Sequence, residues 1–294
     1  MCVLQCVKRP KNAKKALIFT KFRDKNVYIK RNLETEMENQ EIKISIITPT
    51  YNDAKYIRET IKSILSQTHS NFEILVVDDC STDNTSLIVE SFHDDRIKFF
   101  RNEKNMGAAY SRNFAIRQAT GCYIAFLDGD DLWSSQKLEK QLNFMITNDY
   151  SFSCTFYKEI DEIGNDTGVM ITSPKKMDHK TFLRTNFIGC LTVMFKRDLY
   201  SDLEIPVSIL KRNDYALWLK LSEKAPCFTL KESLSFYRKR NKSISSGKKK
   251  LLISHHKHLF STLYGFGTIK ATLYSYRNII YYVFKRVFYK KKVK

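Results

Sequence analysis

The chain has 294 residues, 43% of them hydrophobic, and a formal charge of +19 at pH 7. That length holds one large or two small domains with an ample core. The charge is unevenly spread: residues 1–40 net +6, residues 233–294 carry sixteen Lys/Arg and no acid, and 41–232 net −3, so the near-neutral centre is not a polyanion-binding domain.

The seven cysteines, at 2, 6, 80, 122, 154, 190 and 227, show no C-x-x-C pair and no regular spacing, which favours a reducing compartment. Cys122, Cys190 and Cys227 lie in or beside apolar runs and read as small core residues. With no run of eighteen apolar residues and no charged-then-apolar leader, the chain is expected in the cytoplasm, not crossing a membrane.

Residues 1–40 are rich in Lys and Asn, without a period of 2 or 3.6, and are expected as a basic extension; Met37 is a second candidate translation start. From Ile42 strand and helix patterns alternate. Ile44–Ile47 predicts a buried strand closed by Pro49. Asp53–Gln67 predicts a helix with apolar residues at Tyr56, Ile57, Ile61, Ile64 and Leu65. Phe72–Val77, Ile97–Phe100 and Cys122–Leu127 follow as strands, with helices over Leu87–Phe92, Ala108–Ala119 and through Leu138, Leu142 and Met145. Continuous apolar strands separated by helices imply a mostly parallel, doubly wound α/β sheet over 42–150.

Past Tyr150 the pattern changes. Phe152–Ile160 and Val169–Ile171 read as strands around a Gly-Asn-Asp-Thr-Gly turn, Leu191–Phe195 as another, Asp214–Ser222 as a helix and Phe228–Phe236 as a strand. Residues 151–240 are thus expected as a smaller mixed region completing one domain, 41–240. The basic tail, 241–294, interleaves Tyr274, Tyr276, Tyr281, Tyr282, Phe284, Phe288 and Tyr289 with Arg277, Lys285, Arg286 and Lys290–Lys292. That composition suits an amphipathic helix in the headgroup plane of a membrane. The alternative is a C-terminal helix packed on the domain with a frayed basic end. No nucleic-acid motif accompanies the tail, and nucleic acid is not expected as a partner. His255, His256 and His258 lack a nearby carboxylate or Cys and read as polar surface residues, not a metal site.

Four features meet at the carboxyl edge of the sheet, where open α/β sheets bind ligands. Asp128-Gly129-Asp130-Asp131 follows the fourth strand and presents hard oxygen ligands. One such carboxylate plus substrate phosphate oxygens is the usual way Mg²⁺, and by similar hardness Mn²⁺, is held. Thr48–Asn52 ends the first strand with Tyr51, which can stack on a base. Val77-Asp78-Asp79 ends the second with two carboxylates, able to accept from a ring N–H of a uracil-like base. Asn105-Met106-Gly107 opens a helix carrying Arg112 one turn in, where a cation and close backbone approach favour a diphosphate. Each feature alone reads equally well as a cap or loop; their succession, strand end by strand end, points to a nucleotide site.

Together, Ile46–Asn52, Ser66-Gln67-Thr68, Val76–Asp83, Asn105-Met106-Gly107 and Phe126–Asp131 resemble a family 2 glycosyltransferase of the GT-A fold, over roughly 42–240. Ile188–Met194, Arg212–Leu219 and Tyr237-Arg238 through Asn241–Ser246 are similar to bacterial enzymes of the teichuronic-acid and surface-polysaccharide type. The resemblance implies a nucleotide-sugar half, 42–150, and an acceptor half, 151–240. It puts Pro49, Tyr51, Asp79, Asn105, Gly107, Arg112 and Asp128 around the donor: Tyr51 stacked on the base, Asp79 on its ring nitrogen, Arg112 at the diphosphate and Asp128 near the ribose. Asp130 would ligate Mn²⁺ or Mg²⁺, and Asp214 would be the catalytic base. Asn213 departs from the acidic residue or Gln that many relatives carry before that Asp. The processive signature Q-x-x-R-W is absent, which implies transfer of a single sugar.

The expected activity is inverting, metal-dependent transfer from a nucleotide-diphospho-sugar, UDP favoured, to a lipid-linked or surface glycan at the inner face of the membrane. The alternative is a catalytically silent sugar-nucleotide-binding protein at that surface. A nucleotidyltransferase would need a Gly-rich loop with Lys after the first strand, and Thr48–Asn52 offers none.

Overall fold

Two seven-residue runs, buried at every position, set the centre of the sheet: β1 (Ile44–Thr50) and β2 (Phe72–Asp78). The computed structural model describes residues 41–240 and 249–292; the basic extension 1–40, with Cys2, Cys6 and Met37, and the Asn241–Ser246 run lie outside the described residues. β1 and β2 pair in parallel, β3 (Ile97–Arg101) continues beside β2, and β4 (Tyr123–Phe126) joins the other side of β1. Helices α1 (Ile57–Leu65), α2 (Thr85–Glu90) and α3 (Ala108–Gln118) make the connections. The chain therefore steps outward from β1 to β3 and then returns to place β4 on the opposite flank. The gap between β1 and β4 is the topological switch point, the usual ligand crevice of such sheets.

Pairing between β1 and β4 stops at Ile47 opposite Phe126, while β1 runs on to Thr50. Pro49 lies past that ladder, so its missing N–H breaks no bond on the β4 side. α1 begins later than its periodicity suggested. The carbonyl of Asp53 accepts from the N–H groups of Tyr56 and Ile57, forming a turn before the helix proper.

After β4 come β5 (Leu132–Trp133), α4 (Lys137–Thr147), β6 (Phe152–Ile160), β7 (Asp166–Ile171), β8 (Lys176–Met177) and α5 (His179–Arg184). β9 (Met194–Lys196) lies antiparallel between β4 and β6. α6 (Asn213–Lys224) leads into β10 (Cys227–Arg238), parallel to β6. The strand expected over Leu191–Phe195 is shorter: Cys190–Thr192 forms a 3₁₀ turn and β9 begins at Met194. The Leu191 carbonyl accepts from Trp133 Nε1 and the Thr192 carbonyl from Gln141 Nε2, so side chains satisfy what a ladder would have bonded.

The tail forms α7 (Lys249–Tyr264), α8 (Thr268–Phe288) and β11 (Lys290–Lys292), the last antiparallel to β7. The alternative of a packed helix foresaw a frayed basic end; Lys290–Lys292 instead form a sheet strand. Leu259, Phe260 and Ala271 are fully buried in one apolar cluster with Phe126, Phe152, Phe195 and Trp218. His256 is also buried, in correction of its surface assignment, because it shares the inward face of α7 with Leu259 and Phe260. Neither ring nitrogen has a hydrogen-bond partner, and burial, with Arg212 and His255 adding to it, pushes its pKa down to about 3.

At the amino edge, Glu73 accepts from Ser45 Oγ (2.6 Å) and Thr120 N (2.6 Å) and pairs with Lys98 (2.7 Å) and Lys43 (3.1 Å). Burial pushes its carboxyl up, but the donors outweigh it and bring the pKa to about 2.

Candidate functional site

The loops after β1 and β2 are stitched together. Asn52 adopts the left-handed conformation (φ 54°), its Oδ1 accepting from Thr82 N (2.8 Å) and its N–H donating to Ser81 Oγ (2.9 Å). This leaves the neighbouring Tyr51 ring 43% exposed at the crevice, free to stack. The two carboxylates after β2 differ in their bonding. Asp78 is fully buried and accepts from the Ser81 hydroxyl and from Ser86 Oγ (2.7 Å), closing its own turn. Asp79 accepts from Met106 N (2.7 Å), Gly107 N (2.7 Å) and Asn102 Nδ2 (2.8 Å). It therefore fixes the loop that opens α3, with Gly107 at φ 85° supplying the required bend. A carboxylate has about four lone-pair sites, so one remains for a ligand N–H. Asn105 is exposed beside this loop.

The acidic loop after β4 is braced from two sides. Thr60 Oγ1, on α1, donates to the carbonyls of Gly129 (3.0 Å) and Asp131 (2.9 Å). From the end of β10, Arg238 donates through its N–H to Asp131 Oδ1 (2.9 Å) and through Nε to the Asp130 carbonyl (2.9 Å). A Cβ on Gly129 would meet Thr50 Oγ1 at 2.7 Å and Asp53 Oδ2 at 2.8 Å, so only glycine lets the two loops approach this closely. Pro49 helps close the seam, its carbonyl accepting from Gly129 N (3.3 Å).

Arg112 departs from its expected setting. Its guanidinium is buried, one nitrogen on Asp128 Oδ1 (2.5 Å) and another on Asn213 Oδ1 (2.6 Å). It is a clamp between the acidic loop and the first turn of α6, not an open phosphate cation. Burial opposes its charge, but Asp128, Cys190 and Asp214 outweigh it and raise its pKa. Asp214 follows Asn213 directly, so the clamp fixes its approach to the acidic loop. The amide oxygen of Asn213 is the acceptor that holds the second guanidinium nitrogen. Cys190, read as a core residue, is partly buried against the core cluster and within reach of the charges of Arg112, Asp128 and Asp214.

Among the described residues no three His, Cys, Asp or Glu side chains converge as a metal cage. The available donors are Asp130 and, beside it, Asp53. Arg240 bridges them, Nη1 to Asp53 (2.7 Å) and Nε to Asp130 (2.8 Å). Burial, reinforced by Asp53 and Asp128 against Arg240, pushes Asp130 up to about 7. Crowded carboxylates with a guanidinium already between them form a site made for a cation. One or two carboxylates completed by water and substrate phosphate is what Mg²⁺ and Mn²⁺ accept, so the residues fit such an ion.

Asp53, Arg238, Arg240 and Asn213 were not among the sequence-derived site residues. Asp53 read as the start of a helix, Arg238 only as part of a segment that carries the resemblance, and Arg240 as the last residue before the basic tail. The available signal was their position, each at a strand or helix end on the acidic edge.

The model for Glycosyl transferase family 2 matches residues 45–203. The chain is a family 2 glycosyltransferase. It is 42% identical over 215 residues to TuaG of Bacillus subtilis, named for teichuronic acid biosynthesis, covering 72% of this chain and 85% of that one. It is 40% identical over 212 residues (71% of this chain and 82% of the relative) to WfgD of Escherichia coli, named as a UDP-Glc:α-D-GlcNAc-diphosphoundecaprenol β-1,3-glucosyltransferase. Staphylococcus aureus TarS 1–349, solved with UDP-GlcNAc, superposes with a TM-score of 0.65 at 22% identity, over 84% of this chain and 74% of that one. This glycosyltransferase therefore has the GT-A fold.

Proposed function

We propose that this glycosyltransferase moves a single sugar from a UDP-sugar, with inversion at the anomeric carbon, to a hydroxyl of a lipid-linked glycan at the inner face of the cell membrane. The observation that carries the reading is the bonded chain Asp128–Arg112–Asn213, which ties the acidic loop of the nucleotide half to the residue before Asp214 in the acceptor half.

On this reading Tyr51 stacks on the uracil, Asp79 spends its last lone pair on the ring N–H, and Pro49, Asn105 and Gly107 line the donor. Asp128, steadied by Arg112, meets the ribose. Asp130, with Asp53 beside it, holds Mn²⁺ or Mg²⁺, which when bound neutralises the departing diphosphate as a Lewis acid. Asp214 takes the proton of the acceptor hydroxyl. A base on α6 and a leaving group over the β1–β4 crevice stand on opposite sides of the sugar, the arrangement for displacement with inversion. WfgD's name supports both the UDP donor and a lipid-diphosphate acceptor. The acid-free basic tail supports work at an anionic surface.

The test is transfer from UDP-glucose or UDP-GlcNAc to a short-chain, water-soluble lipid-diphosphate sugar with Mn²⁺. UDP should be released, and the new linkage should show the opposite anomeric configuration by NMR coupling. Asp214→Asn should lower kcat by about 10²–10⁴-fold with UDP-sugar affinity unchanged by calorimetry. A retained configuration, or an Asp214→Asn enzyme at parental speed, would sink the reading.

A further inference from the structure

α8 is a helix turned inside out. Ala271, Ser275 and Asn278 face the protein and are buried, Asn278 donating to Tyr215 Oη (2.8 Å). On the opposite face stand Ile269, Leu273, Tyr276, Ile280, Val283 and Val287, their exposure running from 53% at Tyr276 to 80% at Ile269. Their spacing of four, three, four, three and four residues follows one stripe along a helix of 3.6 residues per turn. The 21-residue helix is about 31 Å long at 1.5 Å per residue, so the stripe is a contiguous apolar ridge. A helix facing only water would present these faces the other way round.

The helix is also firmly held. Arg277 Nη2 donates to the Leu183 carbonyl (3.1 Å) and Lys285 Nζ to the Asn186 carbonyl (2.9 Å). β11, directly after it, is bonded to β7. The outward ridge is therefore presented by a fixed element.

Among the described residues no helix is long and apolar enough to cross a membrane. We propose that the outer face of α8 is a docking surface for an anionic lipid bilayer, the helix axis lying in the plane of the interface, and that it sets the Asp214 side of the site at headgroup level. This deepens, and rests on, the membrane-surface part of the reading above. Charge complementarity selects the occupant. Residues 233–294 contain sixteen Lys/Arg and no acid; Lys270 and Arg286 on α8, and Lys291 and Lys292 after it, are exposed. Aliphatic and aromatic side chains enter the acyl boundary while cations meet lipid phosphates. A second copy of the chain would bring like charges together. The orientation follows from the inner face: Asn278 of α8 donates to the hydroxyl of Tyr215, the residue directly after Asp214 on α6. An acceptor held by its lipid in the same bilayer then reaches Asp214 without leaving the surface.

The variant Leu273→Glu/Ile280→Glu/Val287→Glu changes only exposed positions remote from the bonded site. Wild-type protein should co-sediment with phosphatidylcholine vesicles containing phosphatidylglycerol, and far less with phosphatidylcholine alone. The triple variant should lose at least tenfold in partitioning. It should keep its thermal midpoint and its rate on the water-soluble acceptor, and slow on the same acceptor anchored in vesicles. Equal partitioning of the two proteins, or no wild-type binding, overturns the proposal. So does a wild-type dimer by light scattering that the substitutions split, since the face then belongs to a second copy. Vesicle binding without transfer to either acceptor would instead overturn the catalytic reading and leave the docking face standing.

Discussion

Arg240 holds two carboxylates that a divalent ion would also claim, Asp53 at 2.7 Å and Asp130 at 2.8 Å. Its guanidinium also lies 5.5 Å from the Tyr56 ring centroid. A monovalent, delocalised cation neutralises the pair without the charge density of a metal. In the metal role proposed for Asp130, ion and guanidinium would compete for the same carboxylates. Arg240→Ala should bind Mn²⁺ in the absence of nucleotide roughly tenfold or more tightly than wild type, because a nearby positive charge has gone. Titration of free Mn²⁺ by electron paramagnetic resonance reads this directly, and unchanged affinity would refute the competition. The place of Asp130 on the acidic loop was legible from the sequence because a carboxylate burst ends an apolar strand. Arg240 was not, because its meaning depends on β10 ending beside α1, a contact between residues far apart in the chain.

At the scale of elements, β1, β2 and β4 were legible because fully buried parallel strands read as unbroken apolar runs. β5 and β8 have two residues each and no period to detect. The tail was legible as amphipathic, but not which face would be covered. α7 sends Phe260 into a cluster of aromatic rings, with Tyr274 at 5.4 Å and Phe266 at 6.4 Å between centroids. Apolar periodicity places residues on one side of a helix, and two apolar sides leave the choice to tertiary packing. If α7 is a core element, Phe260→Ala should cost about 3–5 kcal/mol, measured as a shift in urea midpoint without a change in slope. A cost below about 1 kcal/mol would mean that the tail packs only loosely.

The whole molecule has an acid limit with two stages. His256 titrates near 3 when folded, against 6.5 for the unfolded group, so as pH falls the unfolded chain takes up the proton first. Its contribution is complete above pH 6.5 and is lost progressively down to pH 3. At about 1.4 kcal/mol per unit, His256 by itself takes away some 2–3 kcal/mol between pH 6.5 and 4.5, against an opposite contribution from Asp130, which near 7 takes up its proton first in the folded state. Glu73, held near 2 against 4.5, contributes fully above pH 4.5 and gives up its share only below that. Measured against wild type, His256→Leu should gain some 2–3 kcal/mol as pH falls from 6.5 to 4.5, while leaving the fall below 4.5. Urea unfolding across that range checks it; an unaltered slope would place the first stage elsewhere.

β11 has a consequence for synthesis. Its neighbour in the ladder comes far earlier, Thr172 being 117 residues from Tyr289, whose carbonyl it bonds. While a ribosome makes the intervening stretch, at roughly 5–20 residues per second, β7 waits about 6–23 seconds with an open margin. The three lysines that finally cover it leave a short, charged rim that discourages strand addition by a neighbouring molecule. Until β11 has emerged, that margin stays open to pairing with a neighbouring chain.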